Sequence, residues 1–406
     1  MQNPVGKRLT NTVFKETIMN FERYNNCGNL TEEKLRAALS DALLKIDKNI
    51  PNYSDGFMTS ASKDGIYGKI DNVDWTSSFW PGILWLAYEF TKKARYKDCA
   101  MGLMPSYKNR LYNRINMNDH DIGFIFTLST VAGYKVTGDK ELYKISIDAA
   151  ELLSNRFREK GKFIQLSGDA DVEDKSLYRL IIDCLMNTHL LYFAGKAENN
   201  AEYTRKAFEH FNTTMETVVR EDGSTFQNFY FDPDTGARLG GGTKQGASDT
   251  SCWSRGQAWG VTGTPITYSY MHNDEIMDKY IKITDYFLAH LPEDYIPYWD
   301  LSFMEGDEPR DSSAGAIAVC GLLEACRVMP LDEEHKKRYY NAACKIMEAL
   351  IDKCSTKNDE KSNGLLFHAT YYYAGNLGID ECNIWGDYFY MEALMRFLNP
   401  DWKMYW

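Results

Sequence analysis

Residues 176–194 read SLYRLIIDCLMNTHLLYFA, an apolar stretch with one carboxylate, Asp183. Leu180, Ile181 and Leu185 follow the three-and-four spacing of a helix, and further apolar residues lie between them. The spacing therefore predicts a helix that is buried nearly all round, with Asp183 inside it.

A carboxylate in such a helix must be partnered or must have a raised pKa, because an unpaired charge in apolar surroundings is costly. A carboxyl group that stays protonated near neutral pH is what a general acid requires. The alternative is a structural role, in which Asp183 caps a neighbouring loop or pairs with an arginine. The stretch alone leaves both open.

On either side of this stretch, six amphipathic segments, each with one polar face, predict surface helices. Thr31, Asp139 and Asp332 stand at the starts of three of them as N-cap residues, with acidic residues in the first turn. The six segments cover residues 31–46, 92–112, 139–157, 200–220, 274–290 and 332–353.

Between the surface segments lie six others, in which polar and aromatic residues lead into a mostly apolar helix. Their alternation with the polar segments predicts an all-α fold, a closed double ring of helices in a single domain of residues 1–406. An open solenoid or two stacked bundles are the alternatives. We expect residues 1–20 to form a peripheral N-terminal segment. The six apolar segments start at residues 74–82, 119–124, the Asp183 stretch, 251–260, 310–316 and 383–388.

Three irregular stretches, residues 221–250, 291–313 and 361–382, could surround the cavity at the inner helix ends. In the first of them, Tyr230-Phe231 before Asp232-Pro233 predicts a short hairpin.

Composition excludes several classes of partner. The net charge of −11 argues against nucleic acid or an anionic membrane. Aromatic residues make up 14% of the chain, a surplus that proteins use as stacking surface for sugar rings or absorb in large helical cores. We therefore expect a small-molecule partner, with the oligomeric state left open.

Nine scattered cysteines without a C-x-x-C pair predict reduced thiols rather than a disulfide framework. The amino terminus has no apolar signal-peptide region, and the longest apolar run, residues 79–90, contains Pro81 and Gly82 and is too short for a membrane span. These features predict a cytoplasmic location.

Two carboxylates at inner segments, Asp121 and Asp183, are the candidate catalytic pair, because glycoside hydrolysis uses two carboxyl groups. The other acidic residues in similar positions compete with them, and for these we expect helix capping by Asp311 and an ion pair at Asp387. The full set of competitors is Asp119, Asp249, Asp300, Asp311 and Asp387.

Arg255 lies between Trp253 and Trp259, with Lys244 and Gln245 upstream. A guanidinium flanked by indoles could hold a ligand carboxylate while a ring stacks beside it. A structural pair with Asp249 or Asp311 explains the arginine equally well.

Other chemistries lack their signatures. The chain has no H-E-x-x-H, G-x-S-x-G or P-loop motif, and its seven dispersed histidines suggest no metal site and no cofactor.

Six segments, in order, resemble the unsaturated glucuronyl hydrolases of glycoside hydrolase family 88. The resemblance runs from about residue 20 to residue 400. The matching segments are DWTSSFWPGILWLAYE from Asp74, HDIGF from His120, IIDCLMN from Ile181, SCWSRGQAWG from Ser251, RDSSA from Arg310 and NIWGDY from Asn383.

The resemblance implies a single (α/α)6 barrel of the six-hairpin glycosidase type. It implies a hydrolase of unsaturated uronyl disaccharides from glycosaminoglycans, which hydrates the C4=C5 enol ether and so releases a 4-deoxy-5-keto uronate and the leaving sugar. Asp183 matches the family's acid/base and Asp121 its second carboxylate. The substrate-contacting positions correspond to Trp75, Gln245, Trp253, Arg255 and Trp259, with Lys244, His120 and His368 as neighbours.

Departures from the family pattern bear on specificity. Lys244 stands where members often have His or Arg, and Gln227 where we expect His. Members that favour sulfated substrates carry a Ser/Lys cluster after the His368 position, whereas residues 371–377 here read YYYAGNL. We therefore expect a weaker preference for sulfated leaving sugars. Unsaturated rhamnogalacturonyl hydrolases, which take pectin fragments, and a non-catalytic carbohydrate-binding protein are the alternative functions.

Overall fold

Polar helices begin where their N-cap residues predict. The Thr31 side chain accepts a hydrogen bond from the backbone N–H of Lys34, and that of Asp332 accepts from His335. Asp139 caps its helix in the same way. Because each cap satisfies backbone donors that no helical carbonyl can reach, local sequence is sufficient to fix these starts.

The structure is a computed structural model that describes residues 21–168 and 175–406, so the expected peripheral segment at residues 1–20 lies outside it. A π-helical turn, Thr127–Val131, joins the helices Ile122–Phe126 and Ala132–Thr137. In chain order the helices are α1 Glu32–Tyr53, α2 Phe79–Thr91, α3 Ala94–Tyr112, α4 Ile122–Phe126, α5 Ala132–Thr137, α6 Lys140–Ser154, α7 Cys184–Asn187, α8 His189–Glu198, α9 Ala201–Thr217, α10 Ser254–Met271, α11 Met277–Ala289, α12 Ser312–Val328, α13 Glu333–Ala349 and α14 Ile384–Leu398.

The inner helices form a closed ring. Helix α2 packs on the π-helical turn after α4, α4 on α7, α7 on α10, α10 on α12, α12 on α14, and α14 on α2 again. Each polar helix packs outside an inner partner, as α3 does on α2, α9 on α8 and α13 on α12. The predicted all-α double ring, an (α/α)6 barrel, is therefore confirmed, and neither an open solenoid nor two bundles fits these contacts.

Short antiparallel strands lie in the connections. The predicted hairpin at Tyr230-Phe231 forms from the strands Asn228–Phe231 and Arg238–Gly242, and the strand Arg179–Ile181 extends it to three strands. A second hairpin, Ala369–Tyr372 with Leu377–Glu381, occupies the stretch at residues 361–382. The strands are β1 Phe57–Met58, β2 Lys69–Ile70, β3 Phe157–Arg158, β4 Phe163–Ile164, β5 Arg179–Ile181, β6 Asn228–Phe231, β7 Arg238–Gly242, β8 Ala369–Tyr372 and β9 Leu377–Glu381.

The expectation of one helix over residues 176–194 is wrong. Strand β5 occupies its start, helix α7 begins at Cys184, and α8 follows after Thr188. The cause is non-local, because β5 forms its hydrogen bonds with β6, about fifty residues later in the chain. Asp183 consequently lies at a strand-to-helix junction.

Much of the aromatic surplus lies in the core. The largest fully buried indoles belong to Trp80, Trp85, Trp259, Trp385 and Trp406.

Among the described residues, no helix is both long and apolar enough to cross a membrane. All nine cysteines are free thiols, as predicted.

Candidate active site

The polar and aromatic segments come together at the amino-terminal ends of the inner helices. Asp121 directly precedes α4, and Asp183 directly precedes α7. Trp75 lies just before α2 and touches both Phe124 on α4 and Trp385 on α14. Segments more than 300 residues apart in sequence thus share one end of the barrel.

Asp183 presents a carboxyl group with one oxygen, Oδ1, that nothing in the described part of the chain pairs. Its Oδ1 atom is buried and has no hydrogen-bond partner among the described residues. Burial raises the pKa of Asp183 to about 7, although the positive charge of Arg255 acts in the opposite direction. A large fraction of this carboxyl is therefore protonated near neutral pH.

Asp121 lies beside it and is held by Asn187. The Asn187 Nδ2 atom is 3.2 Å from Asp121 Oδ1 and 3.5 Å from the backbone oxygen of Asp183. Burial raises the pKa of Asp121, and the charges of Asp119 and Asp183 add to that effect, whereas the hydrogen bond from Asn187 lowers it. Like charges this near make Asp121 harder to ionise than a free aspartate.

A glycine allows the two carboxylate segments to approach each other. A Cβ atom on Gly123 would lie 2.2 Å from the carbonyl oxygen of Asn187. Because real side chains never come so close to backbone, only glycine permits α4 to meet α7 here. The packing at Gly123 therefore helps to set the spacing of Asp121 and Asp183.

His120 is buried between the carboxylates and is neutral. Its Nε2 atom lies 3.4 Å from Asp121 Oδ1 and 3.6 Å from Asp119 Oδ1. Burial lowers the pKa of His120 well below its usual value, and the nearby charges of Arg156 and His210 add to the shift. The ring can therefore donate or accept a hydrogen bond without carrying charge.

Asp119, His120 and Asp121 also each have a ligand atom within 4.8 Å of the others, close enough to share a cation. Hydrogen bonds within the protein already explain this arrangement. Asp119 Oδ1 accepts from the backbone N–H of Asp121, and Asn187 donates to Asp121.

Arg255 forms the structural pair that its sequence left open. Its Nη1 atom is 2.7 Å from Asp311 Oδ2, and its Nη atoms donate to the backbone oxygens of Thr370 and Tyr371. The guanidinium lies 4.5 Å from the ring centroid of Trp253 and is only 2% exposed. Arg255 thus fastens the β8–β9 hairpin to the barrel.

Two expectations for competing carboxylates change accordingly. Asp311 does not cap α12, because its side chain is engaged by Arg255 and by the hydroxyl of Ser313. The expected ion pair at Asp387 is wrong: its carboxyl accepts hydrogen bonds from Tyr67 Oη and the backbone N–H of Leu366. Both residues serve the scaffold below the site.

Trp75 is the best-placed aromatic platform. It is partly exposed, its Nε1 atom donates to Tyr371 Oη at 3.0 Å, and its ring stacks on Trp385 at 5.3 Å. Trp259, by contrast, is fully buried between Phe124 and Phe389. The structure places Trp259 beneath the site rather than on its surface.

Gln245 is held by Gln227, a residue that the sequence flagged only as a departure. Gln227 Oε1 accepts from the backbone N–H groups of Lys244 and Gln245 at 2.6 Å and 2.9 Å. Gln245 Nε2 in turn donates to the backbone oxygen of Tyr371. The Lys244 side chain is exposed.

His368 lies at the edge of this group. It precedes the β8–β9 hairpin, its side chain is 44% exposed, and its Nδ1 atom is 2.6 Å from Asp380 Oδ1.

Two residues of the site, Asn187 and Tyr371, have no role in the sequence-based prediction. Asn187 was detectable in principle, because it follows Asp183 by four residues and so shares its side of a helical turn.

The match to known proteins covers nearly the whole chain. The family model described as "Glycosyl Hydrolase Family 88" matches residues 49–395. The chain belongs to this family. As a family 88 member it is a glycoside hydrolase, as the sequence resemblance implies.

Relatives in the family carry specific names. The chain is 41% identical to an unsaturated chondroitin disaccharide hydrolase of Streptococcus pneumoniae, over 96% of this chain and 98% of that protein. The solved unsaturated glucuronyl hydrolase of Streptococcus agalactiae superposes with a TM-score of 0.91 at 41% identity, covering 95% and 98% of the two chains. A mutant of that enzyme, solved in complex with dGlcA-GalNAc6S, has a TM-score of 0.84 at 39% identity and covers 95% and 97%.

Proposed function

We propose that this family 88 enzyme hydrates the C4=C5 double bond of unsaturated uronyl disaccharides from glycosaminoglycans. The observation that carries the proposal is the buried, unpaired Oδ1 atom of Asp183 beside Asp121. A relative named for chondroitin disaccharides, and a neighbour solved with a glycosaminoglycan disaccharide, support this substrate class.

In the proposed reaction, Asp183 donates its proton to C4 of the unsaturated ring. Positive charge develops at C5 and the ring oxygen, and the Asp121 carboxylate and neighbouring dipoles stabilise it. The Asp183 carboxylate then accepts a proton from water as the water oxygen bonds to C5. The resulting hemiketal opens, which expels the leaving sugar and yields a 4-deoxy-5-keto uronate.

The remaining residues would bind the sugar. Trp75 offers a partly exposed ring face, and Gln245 lies beside it through their shared contacts with Tyr371. We propose that Lys244 attracts the uronate, because its side chain is exposed, while Arg255 and Trp253 are largely buried. His368 would contact the leaving sugar at the edge of the site.

Enol-ether absorbance provides the test. Wild-type enzyme should remove the ultraviolet absorbance of a chondroitin-derived unsaturated disaccharide and turn over a rhamnogalacturonan-derived one much more slowly. The reverse order would indicate the pectin-directed activity. Unchanged absorbance together with disaccharide binding would indicate a non-catalytic binding protein.

We also propose that the enzyme acts in the cytoplasm. The nine free cysteines support a reducing compartment, since none of them is in a disulfide. Fractionation of the native host, with activity measured in each fraction, tests this location.

A further inference from the structure

Asn187 is buried at the centre of the carboxylate site, and its orientation is fixed. Its side-chain Oδ1 atom accepts the backbone N–H of Phe124 at 2.6 Å. Because a backbone N–H can only donate, the oxygen must face Phe124 and the amide nitrogen must face the other way. The Nδ2 group therefore points toward His120 and Asp121.

The amide nitrogen contacts both of those residues. Nδ2 lies 3.2 Å from Asp121 Oδ1 and 3.3 Å from His120 Nδ1. Since the amide donates to Nδ1, the neutral His120 ring carries its proton on Nε2, which faces Asp121 and Asp119. One asparagine thus sets both an anion's hydrogen bond and a histidine's tautomer.

The two carboxyl groups do not receive the same hydrogen bonds. Asp121 receives an amide N–H and lies near the Nε2–H of His120, whereas the buried Oδ1 of Asp183 receives no hydrogen bond from any described residue. A hydrogen bond from an N–H group favours the ionised form of the carboxylate that accepts it.

We propose that Asn187 is a positioning residue that donates to Asp121 and favours its ionised form, so that Asp183 is the group that holds the proton for the substrate. This inference rests on the proposed function, because it assigns the acid and the anion of that reaction. Without Asn187, Asp121 would be protonated more readily, and fewer molecules would combine an ionised Asp121 with a protonated Asp183.

Other charged and titratable groups around the pair come from several elements. Arg255 and Arg156 carry positive charge near the pair, and Asp119 carries negative charge. Among the described residues, the groups that face Asp121 and Asp183 are Asp119, His120, Arg110 of α3, Arg156 after α6, Cys184 of α7, Arg255 of α10 and Tyr371 of β8.

The test compares pH–rate profiles of wild type, Asn187→Leu and Asn187→Asp on unsaturated chondroitin disaccharide. Leucine has nearly the shape of asparagine but donates nothing. In Asn187→Leu the acidic limb should move up by about one pH unit, because Asp121 loses a hydrogen bond that favours its ionised form. The basic limb should stay in place or move up, because a more basic Asp121 does not make the last proton easier to remove. The maximal rate should fall at least about tenfold.

The Asn187→Asp variant provides a second test of the hydrogen bond to Asp121. Its side chain can donate only when protonated, so its activity relative to wild type should decline as the pH rises. Asn341→Leu is the matched control, because Asn341 is also buried and donates one amide hydrogen bond, to Tyr24 on the outside of the barrel. That control should leave both limbs in place.

Carbon-13 titration of the aspartate carboxyl groups provides a readout that does not need turnover. Asp121 should titrate at higher pH in Asn187→Leu than in wild type. Unmoved limbs and an unmoved Asp121 titration in a folded Asn187→Leu protein would overturn the inference. If that variant does not fold, a pH-independent activity ratio for Asn187→Asp would do so. Wild type that titrates as expected but consumes no substrate would refute the proposed function alone.

Discussion

Buried carboxyl groups lie toward both ends of the inner helices, and their charged partners differ between the two ends. At the carboxyl-terminal ends, Glu324 and Glu392 are fully buried, and Arg396 bridges them at 2.5 Å and 2.7 Å. Arg327 also binds Glu324. At the amino-terminal ends, Oδ1 of Asp183 has no such partner within residues 21–168 and 175–406.

The two environments shift the pKa of the buried carboxyl groups in opposite directions. Burial alone would raise the pKa of Glu324, but Arg396 and Arg327 outweigh it and lower that pKa. At Asp183 burial outweighs the opposing charge of Arg255, so its pKa rises to about 7. A paired carboxylate holds the barrel together, whereas an unpaired one can exchange a proton with a ligand.

Removing the unpaired acid should have the largest effect. Asp183→Asn should lower kcat by about 10³-fold or more, because it abolishes proton donation to the substrate. Loss of enol-ether absorbance under saturating substrate measures this change.

A second buried carboxyl group provides the matched control for that variant. The pKa of Asp387 is also raised by burial to about 7, but its oxygens are occupied by Tyr67 and the Leu366 backbone. Asp387→Asn should therefore keep most of the activity. Equal losses in the two variants would show that burial alone, rather than an unpaired carboxyl, explains the effect.

Breaking the paired cluster should affect stability instead. Arg396→Leu leaves Glu324 and Glu392 without their shared cation, and we expect a loss of about 3–5 kcal/mol in the free energy of unfolding. Denaturant unfolding measures it. Arg327→Leu, which removes a partner that is 38% exposed, should cost less. A smaller loss for Arg396→Leu than for Arg327→Leu would contradict the comparison.

The pH dependence of the free energy of unfolding should also differ between the two ends, by a smaller amount. Because the folded-state pKa of Asp183 is raised above its unfolded value, its contribution to stability decreases as the pH rises from about 4 to about 7. Asp183→Asn removes that titration, so the variant should gain about 1–3 kcal/mol over wild type at alkaline pH and nothing near pH 4. Thermal melts at several pH values check this sign. Glu324, with a lowered pKa, should instead lose its contribution in acid.

The smallest effect concerns the leaving sugar. Residues 371–377 carry neither Ser nor Lys, and the nearby His368 is paired with Asp380. We expect turnover of a 6-sulfated chondroitin disaccharide to be about two- to threefold slower than that of its unsulfated counterpart, because no Ser or Lys in this loop binds the sulfate. Equal or faster turnover of the sulfated compound would refute this expectation.

The sequence predicts the barrel well, because its helix starts depend on local contacts. Thr31, Asp139 and Asp332 cap helices by bonding backbone N–H groups within the next turn. The stretch around Asp183 was misjudged for the opposite reason. Strand β5 owes its conformation to β6, and no periodicity within residues 176–194 reveals that partner.

The site was predictable in its residue types and less so in its geometry. Asp121 and Asp183 were identified as a pair, and the structure brings both to the asparagine at position 187. For Arg255, the sequence left a ligand carboxylate and Asp311 as equal partners, and only packing decides between them. Asn187 escaped notice because an asparagine in a helical pattern has many ordinary explanations.

The contacts of Trp75 have a practical consequence. Its indole is partly exposed, stacks on the buried ring of Trp385 and donates to the hydroxyl of Tyr371. A sugar that covers the free face of Trp75 would change the polarity around the indole and hence its fluorescence emission. Emission spectra recorded during titration of Asp183→Asn with disaccharide would therefore report ligand affinity directly, without any chemical conversion.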